Sequence, residues 1–128
     1  MPYAGTRDEF GPLEVAPDLI TANQNNYSPD GWPDVAVALL SSNASRQITG
    51  LAALSANARW VTKHIVNIGD NDIVLVFNSS SSSIPNRLFP AGAANLTLAP
   101  TEIALCIYDY VTLFAGAAVA GGWRIIRM

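Results

Sequence analysis

From Asp34 to Met128 the sequence is a succession of short runs rich in Val, Ile, Leu and aromatic residues, each stopped by Gly, Pro, Asn or Ser. The runs are Asp34–Leu40, Arg46–Leu51, Trp60–Ile68, Ile73–Asn78, Asn95–Leu98, Ile103–Tyr110 and Trp123–Met128. None sustains an i, i+3, i+4 apolar stripe long enough for a capped helix, and the spacing of turn residues is that of a sandwich or barrel. The pattern therefore predicts an all-β domain over residues 34–128. Within Ile103–Asp109, Ile103, Leu105 and Ile107 alternate with Ala104, Cys106 and Tyr108, so both faces of that strand are apolar. Ile73–Asn78 repeats the pattern, with Ile73, Leu75 and Phe77 set against Val74 and Val76. An antiparallel sheet in a small sandwich normally wets its outer face. These strands are thus expected to be covered on both sides, by another part of the chain or by a partner subunit, and a homo-oligomer is the expectation.

Residues 1–33 differ in character. Five of the eight prolines, Pro2, Pro12, Pro17, Pro29 and Pro33, fall here. Each fixes its own φ and pushes the preceding residue towards extended geometry. Large apolar groups are interleaved: Tyr3, Phe10, Leu13, Val15, Tyr27 and Trp32. This composition predicts an extended arm ordered by lying on a surface, its own domain's or a neighbour's. A second candidate contact is Val111–Gly122, VTLFAGAAVAGG, which lies between two predicted strands and carries no charge. Surface loops are normally polar, and a contiguous exposed apolar patch marks an interaction site; the alternative is a continued strand with a buried bend. Leu113, Phe114 and Val119 are its largest side chains. These nine residues form the expected partner interface.

Charge narrows the classes of partner. Only 13% of the residues are charged and the formal net charge is −3, against about a quarter charged in ordinary soluble domains. No cluster of cations exists to displace phosphate counterions, so nucleic acid is not an expected partner. The most apolar stretch, Ile103–Trp123, is interrupted by Asp109, Thr112 and glycines. It falls short of the roughly 20 apolar residues of a membrane helix, and no membrane partner is expected. The first ten residues carry charge and no apolar core of a signal peptide. The sequons at Asn26, Asn43, Asn78 and Asn95 accordingly read as chance in a chain rich in Asn and Ser. The lone Cys106 excludes a disulfide framework and fits a reducing compartment or simple indifference to redox.

The inventory for catalysis is thin. His64 is the only imidazole, and it alternates with Trp60, Thr62, Val66 and Ile68 on one face of a predicted strand, where packing accounts for it. No serine sits in a G-x-S-x-G turn, and a triad needs a base oriented by a third group. One histidine is too few for a metal cage of the cupin type. Gly69-Asp70-Asn71-Asp72 offers oxygen ligands but lacks the remaining carboxylates of a calcium loop. It reads as a tight turn, since Gly, Asp and Asn tolerate positive φ. Glu102 and Asp109 lie an odd number of residues apart on one strand and face opposite ways, against the paired acids of a glycosidase. Gly116–Gly122 contains no Lys and opens no helix, so it is no phosphate loop. No enzyme activity, no cofactor and no metal is expected.

Several segments in order carry a resemblance. They are Thr21-Ala22-Asn23-Gln24-Asn25-Asn26-Tyr27, Leu40-Ser41-Ser42-Asn43-Ala44-Ser45-Arg46-Gln47-Ile48-Thr49-Gly50-Leu51, Asn67-Ile68-Gly69, Asn78-Ser79-Ser80 running to Asn86-Arg87-Leu88, Leu96-Thr97-Leu98-Ala99-Pro100, Tyr108-Asp109 and the closing Trp123-Arg124-Ile125-Ile126. Together they resemble a virion β-domain of tailed bacteriophages, found in capsid decoration (cement) proteins and in parts of tail fibres. The resemblance implies a jelly-roll-like antiparallel sandwich assembled as a homotrimer on the virion. Its partner would be the major capsid protein, and it would be made in the host cytoplasm and placed on the capsid surface. The longer apolar insertion after Tyr110 and the proline-rich arm depart from the pattern and are expected to carry the docking contacts. The alternative is a tail-fibre or receptor module, in which Trp32, Trp60, Trp123 and the four tyrosines would stack on glycans.

Overall fold

A computed structural model describes residues 13–55, 57–110, 112–114, 117–119 and 121–128; for 112–114 and 117–119 it describes the backbone alone. The described residues contain strands β1 (Glu14–Val15), β2 (Val37–Leu40), β3 (Arg46–Ile48), β4 (Val61–Asn67), β5 (Ile73–Leu75), β6 (Leu88–Pro90), β7 (Leu96–Leu98), β8 (Ile103–Asp109), β9 (Thr112–Phe114), β10 (Ala117–Val119) and β11 (Gly122–Arg127). Two single 3-10 turns, Trp32–Asp34 and Ile84–Asn86, are the only helical elements among them. The fold is all-β, as the punctuated pattern predicts.

The pairing corrects the expectation of an antiparallel sandwich. A six-stranded sheet has the order β1-β2-β4-β8-β11-β6 and a three-stranded sheet the order β3-β5-β7. Both are mixed: β1–β2, β2–β4, β11–β6 and β3–β5 are parallel, whereas β4–β8, β8–β11 and β5–β7 are antiparallel. The physical reason lies in the path of the chain, which coils rather than turning back in hairpins. Val37 pairs with His64 and Leu40 with Asn67 in one sheet; Arg46 pairs with Ile73 and Ile48 with Leu75 in the other. Strands β2 and β3 therefore lie beside β4 and β5 in one register that survives the corner between the sheets.

Residues 13–33 form the next layer of this coil. Glu14 pairs with Val37, and Ile20, Gln24 and Tyr27 bridge in parallel to Ser42, Ile48 and Leu51. The segment thus runs along its own domain as an edge. Trp32, expected in a docking surface, is fully buried in that domain's core. Its indole Nε1 donates to Ala52 O at 3.0 Å, and its ring packs 5.5 Å from that of Trp123.

Both sheets share a single core. Ala38, Leu40, Ile65, Ala104, Cys106, Tyr108, Trp123 and Ile125 come from the larger sheet, and Ile48, Ile73, Leu75, Leu96 and Leu98 from the smaller. Polar residues hold the ends of the coil. Ser82, one of five consecutive serines, is buried and accepts the Asn26 N–H at 2.9 Å, while its hydroxyl lies 2.7 Å from Thr49 Oγ1. Asn26 Oδ1 accepts from Ser83 N and Asn86 Nδ2, both at 2.8 Å. A Cβ on Gly50 would stand 2.4 Å from Ser82 Oγ and 2.8 Å from Asn86 O, so only glycine admits this approach. The segments around Asn26, Gly50 and Asn86 therefore meet in a framework of the fold.

Candidate functional site

One feature of the described residues open to a partner is the outer face of the six-stranded sheet. Cross-strand register puts Val37, His64, Leu105 and Ile126 in one row, and Leu39, Val66 and Ile103 in the next. Their neighbours along each strand, Ala38, Lys63, Ile65, Ala104, Cys106 and Ile125, point the other way and are buried. Val37, Leu39, His64, Val66, Ile103, Leu105 and Ile107 are half-buried, and Thr62 and Ile126 are exposed. Half-burial is what side-by-side packing within a sheet gives to a face with nothing stacked on it. The described arm lies at the β2 edge of this sheet and does not cross the face. Both-sided apolar character was legible in β8 from sequence; its cover is not supplied by residues 13–33.

The other expected contact residues are distributed as follows. Leu13, Val15 and Tyr27 are half-buried along the coil, and Val15 and Tyr27 pack on the core. Tyr3 and Phe10 lie outside the described residues. Leu113 and Phe114 belong to β9 and Val119 to β10, with side chains outside the described set. Within Val111–Gly122 the described residues form two paired strands, as the alternative reading of a continued strand has it. Phe114 pairs with Ala117 and Thr112 with Val119, in the register by which Asp109 pairs with Gly122. These strands keep the register of the β8–β11 pair, and Thr112, Leu113, Phe114 and Val119 are residues that favour extended backbone.

Titratable groups are engaged in holding the fold. Lys63, which sequence reasoning passed over, is buried on the inner side of β4. Its ammonium donates to Val35 O and to Pro33 O, and stands 4.9 Å from the centre of the Trp32 ring. Burial lowers its pKa, while Asp34 and Cys106 act the opposite way. Its position, opposite Cys106 in the register, was the only sequence signal: a lysine at an inward place in an alternating strand. Asp109 is buried and bound by the Arg59 guanidinium, and Glu102 is bound by Arg127 at 2.6 Å. His64 stands half-buried in the middle of the outer face.

Burial raises the Cys106 thiol to about 12, with Lys63 opposing the shift. Below an unfolded-state pKa of about 8.5 the thiol is protonated in both states and contributes no pH dependence. Above it the unfolded chain loses a proton that the folded chain keeps, so stability falls by about 1.4 kcal/mol per pH unit until the folded pKa is reached. Lys63 contributes with the opposite sign, since a lowered folded pKa makes stability rise with pH up to about 10.4. The stability difference between the native chain and Cys106→Ala isolates the thiol. Urea titrations should show that the native chain's advantage shrinks at about that slope between pH 9 and 11. A pH-independent difference would mean that the thiol ionises freely in the fold.

An open hollow of about 200 Å³ lies between Pro17–Ile20 and Tyr27–Asp30. The Tyr27 phenol in it has its pKa raised, first by burial and then by Asp18 and Asp30. Among the described residues, no three His, Cys, Asp or Glu side chains gather to hold a metal ion. No described helix is long and apolar enough to cross a membrane. No family model, curated protein or solved structure matches the chain.

Proposed function

We propose that the chain is a structural protein of a bacteriophage virion, a capsid decoration (cement) protein that binds the outer shell as a homotrimer and stabilises contacts between neighbouring capsomers. The observation that carries this reading is the pair of largely aliphatic rows on the outer face of the six-stranded sheet, Val37, Leu105 and Ile126 around His64 and Leu39, Val66 and Ile103, a surface suited to burial against protein. The ordered segments resembling phage virion β-domains support it. In this reading the jelly-roll likeness survives only as a two-sheet scaffold, because the sheets are mixed. Each subunit buries apolar surface at roughly 25 cal/mol per Å², and threefold symmetry multiplies modest contacts through effective concentration. The mature protein sits on the capsid surface after synthesis in the host cytoplasm, with the major capsid protein as its partner.

Gold-labelled antibody against the chain, imaged on virions of the encoding phage, tests the reading. Label spread over the shell is the expected result, and unlabelled virions overturn it. Deleting residues 1–12 should abolish attachment of the purified protein to shells stripped of it, without loss of the β circular dichroism signal. Attachment at native strength would clear those residues of the docking role.

A second reading, a tail-fibre or receptor module, is favoured by one observation. Trp60 is 57% exposed, with Arg124 6.0 Å from its ring centre, an aromatic platform open to a sugar. Trp32, Trp123 and Tyr108 are buried and offer no stacking surface. Gold confined to the tail, together with a glycan-array signal lost in Trp60→Ala, would select this reading.

A further inference from the structure

We infer that Trp60, Thr62 and Arg124 form a binding site for a saccharide that carries a carboxylate, of the uronic acid class. The inference rests on the aromatic platform of the second reading and names its ligand.

Trp60 is held where the fold has no use for its side chain. Its φ of +56° lies in the left-handed region, which favours glycine and asparagine and is an outlier for a bulky residue. The ring is exposed and adds nothing to the core, whereas Trp32 and Trp123 are fully buried. Yet the backbone on either side is pinned. Ala58 O accepts the Tyr110 N–H at 3.0 Å, Arg59 binds buried Asp109, and Val61 pairs with Tyr108. Backbone strain that the surrounding structure over-determines clusters at ligand sites. Here it presents a flat indole in a fixed place, so little conformational freedom is left to lose on binding.

The surroundings of the ring fit a sugar. Register sets Thr62, Ile107 and Arg124 in one row across β4, β8 and β11. Thr62 is exposed and Ile107 half-buried. The Arg124 guanidinium lies 6.0 Å from the Trp60 ring centre, at the outer limit of a cation–π contact, and the ring stays exposed. A pyranose has a face of C–H groups and a rim of hydroxyls. The indole matches the face, and the Thr62 hydroxyl and the guanidinium match the rim. The aliphatic rows that suit a protein begin at Val37 and His64, further along the sheet.

Charge selects the sugar. Arg124 is the charged member of its row, and the acid of β8, Asp109, is bound by Arg59. A guanidinium carries five N–H donors in a fixed fork, so it holds a carboxylate while lying beside a ring. An acidic sugar stacked on Trp60 meets its counter-charge at the edge of the platform; a neutral sugar of the same shape does not.

Acrylamide quenching of tryptophan emission tests this on the native chain, because Trp60 is the exposed indole among three. A glucuronate oligosaccharide should shield it, and the matching glucose oligosaccharide at the same concentration should not. On a glycan array the acidic sugar should bind more tightly by about tenfold or more, the scale of a hydrogen bond to a charged group. Arg124→Gln should erase that preference and Trp60→Ala should abolish binding. Both residues lie outside the core, so the β circular dichroism should be kept; should a variant fail to fold, quenching of the native chain decides. Equal response to the two sugars overturns the ligand class and leaves the glycan platform standing. Binding retained in Trp60→Ala overturns the site and leaves a glycan reading elsewhere on the chain. Silence towards every arrayed glycan overturns both. Shielding of Trp60 by stripped shells in place of sugar makes it a protein contact, which overturns this inference and supports the shell reading.

Discussion

Replacing Trp123 with alanine should cost about 4–5 kcal/mol of folding stability. The side chain is fully buried and joins three parts of the coil. Its ring lies 5.5 Å from that of Trp32, in the turn that closes the arm, and 5.0 Å from that of Tyr108 on β8. Its Nε1 donates to Leu51 O at 2.9 Å, and its own N–H donates to Arg87 O at 3.0 Å. Truncating a buried aromatic to alanine costs about 3–5 kcal/mol through lost transfer energy and the cavity left behind. Leaving Leu51 O without its donor adds about 1 kcal/mol. Against a total of about 5–15 kcal/mol for a domain, that is a large share. Urea unfolding followed by circular dichroism should show the midpoint falling steeply. Trp123→Phe keeps most of the ring and loses the N–H, so it should cost about 1–2 kcal/mol. Equal costs for the two variants would show that the indole donor, not the ring volume, dominates.

The strands containing β2, β3, β4, β5, β7, β8 and β11 were legible because period-2 alternation and turn residues are local signals. Their partners were not. Nothing in Val37–Leu40 or Val61–Asn67 states that these two strands run parallel; the register depends on a corner that lies outside both. The edge strand β6 escaped notice because it ends in Pro90, which reads as a breaker although an edge position tolerates a missing donor. The apolar character of residues 13–33 was legible, yet their direction was decided by Trp32 finding an acceptor, Ala52 O, and an aromatic neighbour inside the domain. Lys63 was illegible for a related reason. A cation on an inward position contradicts the binary pattern until two carbonyls and an indole ring are seen to receive it. The apolar outer face, by contrast, was half visible in Ile103, Leu105 and Ile107. The register of β2 and β4 was needed to bring Val37, Leu39 and Val66 into line with them.

The corner between the sheets supplies the second large effect. Asn67 is fully buried at the end of β4. Its Nδ2 donates to Asn71 O and to Leu98 O, both at 2.8 Å, and its Oδ1 accepts the Gly69 N–H at 3.1 Å. One side chain thereby ties the β4–β5 corner to the end of β7. Asn71 continues the link by donating to Ser42 O at 2.9 Å in the preceding corner. Gly69 lets the corners stack, because a Cβ there would meet Ser41 Cβ at 3.0 Å. Asn67→Ala removes all three bonds from a site without water access and should cost about 3–4 kcal/mol, since each buried group left unpaired costs about 1–3 kcal/mol and the losses overlap. Asn67→Asp makes the test sharper. A carboxylate keeps the acceptor for Gly69 but has no proton for either carbonyl, and it is buried as a charge. Its folded-state pKa must then rise above the unfolded value of about 3.9. The destabilisation relative to the native chain should be smallest below about pH 4 and grow as pH rises through the raised pKa. Urea titrations of both proteins at acid and neutral pH measure that difference. A difference that does not grow with pH would mean that the corner admits water to residue 67, and the register carried across it would then need another anchor.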